Sequence, residues 1–421
     1  MNMRWYNLLL WLLLPLALLR LWWRGWRAPA YRERWRERLG WYGARSAPAA
    51  VWVHAVSVGE VQAAYPLIRQ TLARGLRVVV TTATPTGARR LYELLGELVM
   101  HRYAPFDLRP AVRGFLDHVA PRLVLVMETE IWPNLLAECA RRGIPTLLIN
   151  ARLSARSARG YAWGGLYTCQ VLRQFALIAA QSATDAARFV ALGADPARVA
   201  VTGSIKFDLQ LPASLLDLTE ALRRRWGCNR PVWVAASTHE GEERVLLKVH
   251  EEVRAHLPTA LLVLVPRHPE RFERVAALIR RRHPTFARHS AGMPCAPEVS
   301  VYLGDTMGEL PILLAAADVA FIGGSLVPVG GHNPIEAAAA GVPVLFGPHG
   351  FNFFSVNQLL LAHQAARRVR DAQELSAALR KWLSDAAERA RVGERGRQVV
   401  AAHRGALERS LALIAPYLER L

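Results

Sequence analysis

One pattern constrains this chain more than any other. Short apolar runs, each ended by a glycine- or hydroxyl-rich turn, alternate with helical stretches from Ala50 onward. The runs are AVWVHAV (50–56), LRVVVTT (76–82), LVLVME (123–128), PTLLIN (145–150) and LIAAQS (177–182), then PVWVAAS (231–237), ALLVLVP (260–266), VSVYLG (299–304), DVAFIGG (318–324) and VPVLFG (342–347). They lack the strict apolar/polar alternation of a half-exposed strand, so both faces of each are read as buried, which predicts parallel sheets covered by helices. Helical stretches such as VQAAYPLIRQTLARG and WPNLLAECARRG fill the intervals. Three more, 372–383, 386–403 and 406–421, close the chain.

At 421 residues the chain is long enough for two such domains. The expected division is an apolar N-terminal segment (1–26), a Rossmann-like domain (27–211) ending near the LPAS linker, and a second Rossmann-like domain (212–403). A C-terminal helix (404–421) has the first domain as its candidate packing partner. Two consecutive Rossmann-like domains with a cleft between them make the GT-B architecture. Ligands in open α/β sheets bind outside the carboxyl ends of the strands, so the loops there are where chemistry is expected.

Residues 5–19 (WYNLLLWLLLPLALL) are almost wholly apolar, and Trp5, Trp22, Trp23 and Trp26 flank them as interfacial residues would. Arg24, Arg27, Arg32, Arg34, Arg36, Arg38 and Arg45 follow the run, whereas only Arg4 precedes it. That asymmetry keeps the body of the protein on the cytoplasmic side and opposes export, although Ala28-Pro29-Ala30 mimics a cleavage site. Membrane attachment is expected, by a helix that either spans the bilayer or lies in its interface.

The formal charge is +19, and all but three of the 53 basic residues (Lys206, Lys248, Lys381) are arginines. So basic a chain favours an anionic partner. No zinc-finger spacing, aromatic RNA-binding signature or arginine-rich arm points to nucleic acid, which leaves an acidic membrane surface or a phosphorylated substrate. The four cysteines (Cys139, Cys169, Cys228, Cys295) form no CxxC pair, which argues against a disulfide framework or a structural metal and for a reducing setting.

Several strand-end loops carry candidate chemistry. In VHAVSVGEVQAA, Glu60 either complements the dipole of the helix it opens or acts as a general base, with Ser57 and Gly59 letting a substrate approach the backbone. In TTATPTG, Thr84 caps a helix with Pro85 at its first position, or the loop cradles an anion. METEIWPN sets Glu128 and Glu130 two residues apart, a possible carboxylate pair if the strand continues that far. In the second half, VAASTHEGEE offers Ser237, Thr238 and His239, and PRHPERF offers Arg267 and His268 as anion ligands. The richest stretch is FIGGSLVPVGGHNPIEAAAAGVPVLFGP (321–348). There Asn333 as N-cap, Pro334 at the first helical position and Glu336 three residues on fit a capping box. The glycines ahead of that helix also suit a phosphate.

Taken together and in order, these loops resemble the Kdo transferases of Gram-negative bacteria, inverting GT-B enzymes of lipopolysaccharide synthesis. The resemblance is carried by HAVSVGEV, TTATPTG, YAPFD (103–107), METEIWPN, INARLS, TGSIKFD, AAST-EGEE, VPRHPERF, LGDTMGEL and GGSLVPVGGHNPIEAAAAGVPVLFGP, across nearly the whole chain after the anchor. It implies transfer of Kdo from CMP-Kdo to a lipid A precursor at the cytoplasmic face of the inner membrane, with no cofactor. Glu60 would deprotonate the acceptor hydroxyl. Arg267, the backbone of Gly324 and Ser325, and the helix start at Asn333 would hold the CMP phosphate. Glu336 would bind the ribose, Ser237 and Thr238 would line the donor pocket, and Lys206 would pair with a carboxylate or phosphate. Ser57, Gly59, Thr84 and Glu130 fall on the acceptor side. No Asp-x-Asp metal motif stands in the donor half. Pro328-Val329 departs from the charged or polar residue the family often has there. The rival expectations are another GT-B nucleotide-sugar enzyme, an epimerase included, and a membrane-anchored basic scaffold.

Overall fold

The computed structural model describes residues 3–43, 48–209, 214–293 and 295–421. Arg45 of the basic collar and the first three residues of the LPAS linker lie outside them. The chain forms two compact units: Met1–Asp208 with Arg404–Leu421, and Leu209–His403.

The first unit is a seven-stranded sheet: β1 Val51–His54, β2 Val78–Thr82, β3 Met100–Tyr103, β4 Leu123–Met127, β5 Thr146–Ala151, β6 Leu177–Ala180 and β7 Val199–Val201. Its order is β3-β2-β1-β4-β5-β6-β7, parallel throughout. Successive residues along the inner strands belong to different cores, as the pleat requires. Val51, Val53, Leu123 and Leu125 pack with Val61, Ala64 and Leu67 of the helix Val58–Ala73. Trp52, Val124 and Val126 pack with Phe115, Leu116 and Leu135 from the opposite layer. Both faces are thus covered, so strand sequences without alternation are what this sheet demands.

The helix Ala406–Leu418 belongs to this unit. Its Ala406, Ile414 and Leu418 complete the core around the helix Val58–Ala73. Asp208 fixes its start by accepting from the N–H groups of Gly405 and Leu407, both at 2.6 Å. These donors would otherwise be unpaired at a helix terminus.

The second unit repeats the plan with β8 Val232–Thr238, β9 Leu261–Pro266, β10 Phe286–Arg288, β11 Val301–Leu303, β12 Val319–Ile322, β13 Val344–Phe346 and β14 Ala366–Arg368, ordered β10-β11-β9-β8-β12-β13-β14 and again all parallel.

The N-terminal helix runs Met3–Arg27. Its stretch Met3–Trp26 has a mean hydropathy of 1.5 over its most apolar window, long and apolar enough to cross a membrane by length and composition, and none of that window is buried in the protein.

Candidate active site

In each unit the sequence-predicted residues gather at the carboxyl ends of the central strands. Three residues there, Glu128, Asn150 and Ser237, take positive φ (56°, 54° and 57°) without being glycine. Such backbone costs about 1–3 kcal/mol each and persists only where the surroundings enforce it.

In the first unit β1 runs through Ala55 and Val56 into the helix Val58–Ala73, with Ser57 as its N-cap. The Ser57 hydroxyl donates to Glu60 Oε1 at 2.8 Å, and the Val56 N–H donates to Oε2 at 2.9 Å. Glu60 is buried, and loss of solvent pushes its carboxyl up to about 8; the nearby Glu130 and Glu128 charges push the same way, against the two hydrogen bonds. Ser57 also accepts from the Glu60 N–H, so Glu60 keeps a helix-start role; the raised carboxyl comes from burial and is not something that role produces. Gly59 is exposed, lacks positive φ, and a Cβ built on it meets nothing within 4 Å. Nothing inside the protein calls for glycine at this helical position, where it costs roughly 0.5–1 kcal/mol against alanine.

The two carboxylates of METEIWPN do not form a matched pair. β4 ends at Met127 and the left-handed turn at Glu128 separates them. Glu128 is buried and bridged by Lys206 at 2.8 Å and Arg152 at 3.0 Å. Glu130 is half-buried, accepts from Trp132 Nε1 at 2.7 Å, and is raised by burial, with the Glu128 charge adding to it. Neither caps the following helix, Pro133–Arg141. Asp107 does, accepting from Asn134 N–H at 3.0 Å and Leu135 N–H at 2.8 Å. Lys206 does pair with a carboxylate, that of Glu128, but it lies in the first unit and not in the one expected to bind the donor. Thr84 caps the helix Pro85–Leu95 through the Gly87 N–H at 3.1 Å.

The second unit corrects several donor-side expectations. The N–H groups of Gly324, Ser325 and Leu326 are occupied by the buried carboxylate of Glu242, at 2.7, 3.0 and 3.0 Å, which also accepts from His239 N–H at 2.9 Å. They are not available to a phosphate. The Ser325 hydroxyl is turned inward, donating to Ile322 O and accepting from Gly347 N–H. Thr238 is also buried, its hydroxyl donating to Glu243 at 2.9 Å. The polar groups of these three residues are thus engaged within the protein.

The helix after the glycines begins one residue later than expected, at Ile335–Ala339 with Pro334 at the N-cap position. Asn333 still accepts from the Ile335 N–H at 3.1 Å, and its amide donates to Glu336 at 3.3 Å. Burial raises the half-buried Glu336 carboxyl. Arg267 is half-buried and makes no ion pair among the described residues, whereas its neighbour Arg271 is taken up by Glu243 at 2.7 Å. Two residues not singled out by sequence join this site: Glu242 and His332. The His332 ring stacks on His239 with Nε2 atoms 2.7 Å apart, and burial holds it down at about 3. A single neutral-to-neutral hydrogen bond links such a pair, one ring donating and the other accepting.

Two parallel α/β units, with a desolvated carboxylate at a strand end of one and, in the other, an arginine that makes no ion pair among the described residues, place the chain in the GT-B fold class. Solved structures agree on the fold alone. The glycotransferase of kitacinnamycin matches with a TM-score of 0.53 at 18% identity, and UDP-GlcNAc 2-epimerase from Neisseria meningitidis with 0.57 at 15%; each match covers 88% of this chain and 100% of that one. The family model described as 3-deoxy-D-manno-octulosonic-acid transferase (kdotransferase) matches residues 33–209, and that of glycosyl transferases group 1 matches 290–399. The chain is 43% identical to the 3-deoxy-D-manno-octulosonic acid transferase of Haemophilus influenzae, covering 94% of this chain and 93% of that protein. It is 41% identical to that of Bordetella pertussis, over 98% and 99%. The chain belongs to the 3-deoxy-D-manno-octulosonic acid (Kdo) transferase family.

Proposed function

We propose that this enzyme transfers Kdo from CMP-Kdo to the lipid A precursor, lipid IVA, with inversion at the anomeric carbon. The observation that carries the reading is Glu60: a buried carboxylate pushed up to about 8, beside two further carboxylates, reached past a glycine that the fold itself does not require. A base whose pKa lies near the working pH combines a usable ionised fraction with real proton affinity. Glu60 takes the proton of the acceptor hydroxyl as that oxygen attacks the anomeric carbon. The bond from that carbon to the phosphate oxygen breaks on the opposite face, and its electron pair leaves with CMP.

On the donor side Arg267 meets the phosphate, and Ser237, Asn333 and Glu336 bind the rest of CMP-Kdo. A fixed guanidinium stabilises the charge growing on the leaving phosphate. The acceptor is a phosphorylated membrane lipid. The basic, tryptophan-rich N-terminus suits an anionic surface, which we place at the cytoplasmic face of the inner membrane. Nucleic acid is not a partner in this reading.

The test is incubation of the full-length protein with CMP-Kdo and tetraacylated, bisphosphorylated lipid A precursor, with products resolved by mass. A Kdo-sized increment from the wild type, nearly absent with Glu60→Gln, is the expected result. No increment from folded wild type, in the presence of membrane or detergent, would overturn the assignment.

A further inference from the structure

The N-terminal helix is held by the first unit at its start, and the chain leaving its other end is tied to the same unit from Arg34 onward. At its start, the Tyr6 hydroxyl donates to Asp107 Oδ2 at 2.7 Å, and the Asn134 amide donates to Asn7 Oδ1 at 2.8 Å. Asp107 is half-buried at these contacts, and the same carboxylate caps the helix Pro133–Arg141. At the other end the chain passes through the turn Pro29–Tyr31 and is tied down again at once. Arg34 donates to His101 O at 2.8 Å, Glu37 accepts from Tyr103 N–H at 2.8 Å, and Arg38 donates to Ala83 O at 2.9 Å.

Those anchor points decide the topology. Crossing the hydrocarbon core separates the two ends of a helix by about 30 Å. From the end of the helix at Arg27 to Arg34 there are seven residues, which reach at most about 25 Å fully extended and less through a helical turn. A spanning helix would carry one set of these contacts across the bilayer, away from the domain that supplies their partners. Pulling Tyr6 and Asn7 away would also cost the half-buried Asp107 carboxylate and the buried Asn134 amide one partner each.

We infer that this helix does not cross the membrane but lies along its surface, with both ends on the side of the folded domain and its outer face among the lipid chains. The exposed surface fits that occupant. Trp5, Trp11, Trp22, Trp23 and Trp26 are 52–68% exposed, so interfacial side chains recur along the helix and not only at its two ends. Arg20, Arg24, Arg32 and Arg36 are exposed beside them, positive charges for the headgroups of an anionic bilayer. The docking side matters as well. Asp107 follows β3 and Asn134 follows β4, so the helix is moored at the carboxyl edge of the first sheet, the edge that carries Glu60. A lipid acceptor, if the reading above holds, reaches the base laterally from the membrane plane.

The test uses full-length protein carrying Asn2→Cys, made in a Gram-negative host. Exposed Cys228 serves as the reference for the domain side. A membrane-impermeant maleimide is applied to spheroplasts and to inverted inner-membrane vesicles. Expected is labelling of position 2 together with Cys228 in inverted vesicles, and of neither in spheroplasts. Labelling of position 2 in spheroplasts while Cys228 stays unlabelled would overturn the inference and leave Kdo transfer standing. Recovery of the protein in the soluble fraction would overturn both the surface helix and the membrane reading. Failure of the transfer assay with the expected labelling pattern would remove only the substrate.

Discussion

Glu60 and Glu242 occupy matching places, each at the start of the helix that follows the central first strand of its unit, yet they live differently. Glu242 accepts four backbone N–H bonds and ties two loops of its sheet edge together. Glu60 accepts two hydrogen bonds and faces the charges of Glu130 and Glu128. A carboxylate surrounded by fixed donors is a structural anion. One left short of donors among other carboxylates holds a proton tightly enough to exchange it in the neutral range. The number of donors, and not the residue or its place in the fold, separates a clamp from the base we propose.

The hardest blow to that contrast would be Glu60→Gln leaving transfer intact. We expect a loss of about 10²–10⁴-fold, with the thermal unfolding midpoint unchanged or higher near pH 8. Activity of the wild type should rise with pH through about 8 as Glu60 ionises, and the residual activity of Glu60→Gln should not follow that curve. Stability runs the other way. Folding raises this carboxyl above its unfolded value, so its contribution is fully present below the unfolded pKa and is lost as pH rises through about 8. Unfolding by denaturant at pH 6 and pH 9 should show a larger drop for the wild type than for Glu60→Gln.

Glu242→Gln should do the reverse of Glu60→Gln. It removes a charged acceptor from buried N–H groups, costing about 2–4 kcal/mol in denaturant unfolding. If this variant were as stable as the wild type, the clamp would be wrong. Lys206→Met, a smaller change, removes one partner of Glu128 and lets its charge act more fully on Glu60. The pH–rate midpoint should move up, at a stability cost of about 1–2 kcal/mol because Arg152 still holds Glu128. A downward or absent shift would detach Glu128 from the base. Smallest is Gly59→Ala, for which we expect about 0.5–1 kcal/mol of added stability together with slower transfer. Unimpaired transfer would show that the open space at Gly59 is not a substrate approach.

How far the sequence foretells this molecule follows from solvent. The ten strands read from apolar runs are the interior strands of both sheets. The four it does not reveal, β3, β7, β10 and β14, are the edges. Their sequences MHRY, VAV, FAR and ARR are short or polar and their burial is partial, so no continuous apolar run marks them. Within the site, Glu60 was visible because its loop is local. Glu242 was not, because its partners Gly324–Leu326 lie some eighty residues further on and their glycines look the same whether a phosphate or a carboxylate fills them. A glutamate just after Gly241 in a strand-to-helix turn was the signal, shared with Gly59-Glu60.

The C-terminal helix has a consequence for biosynthesis. Ala406, Ile414 and Leu418 are part of the first unit's core, and Asp208 waits for Gly405 and Leu407 to cap that helix. On the ribosome the first unit therefore stays incomplete until Arg404–Leu421 emerges, while Leu209–His403 has its whole sequence available earlier. The second unit is in effect an insert between the body of the first and its closing segment. A chain that stalls or is clipped before Ala406 keeps the whole sequence of the second unit but leaves an apolar groove along the helix Val58–Ala73, whose first turn holds Glu60. Quality control of truncated chains would thus meet the defect on the back of the very element that carries the proposed base.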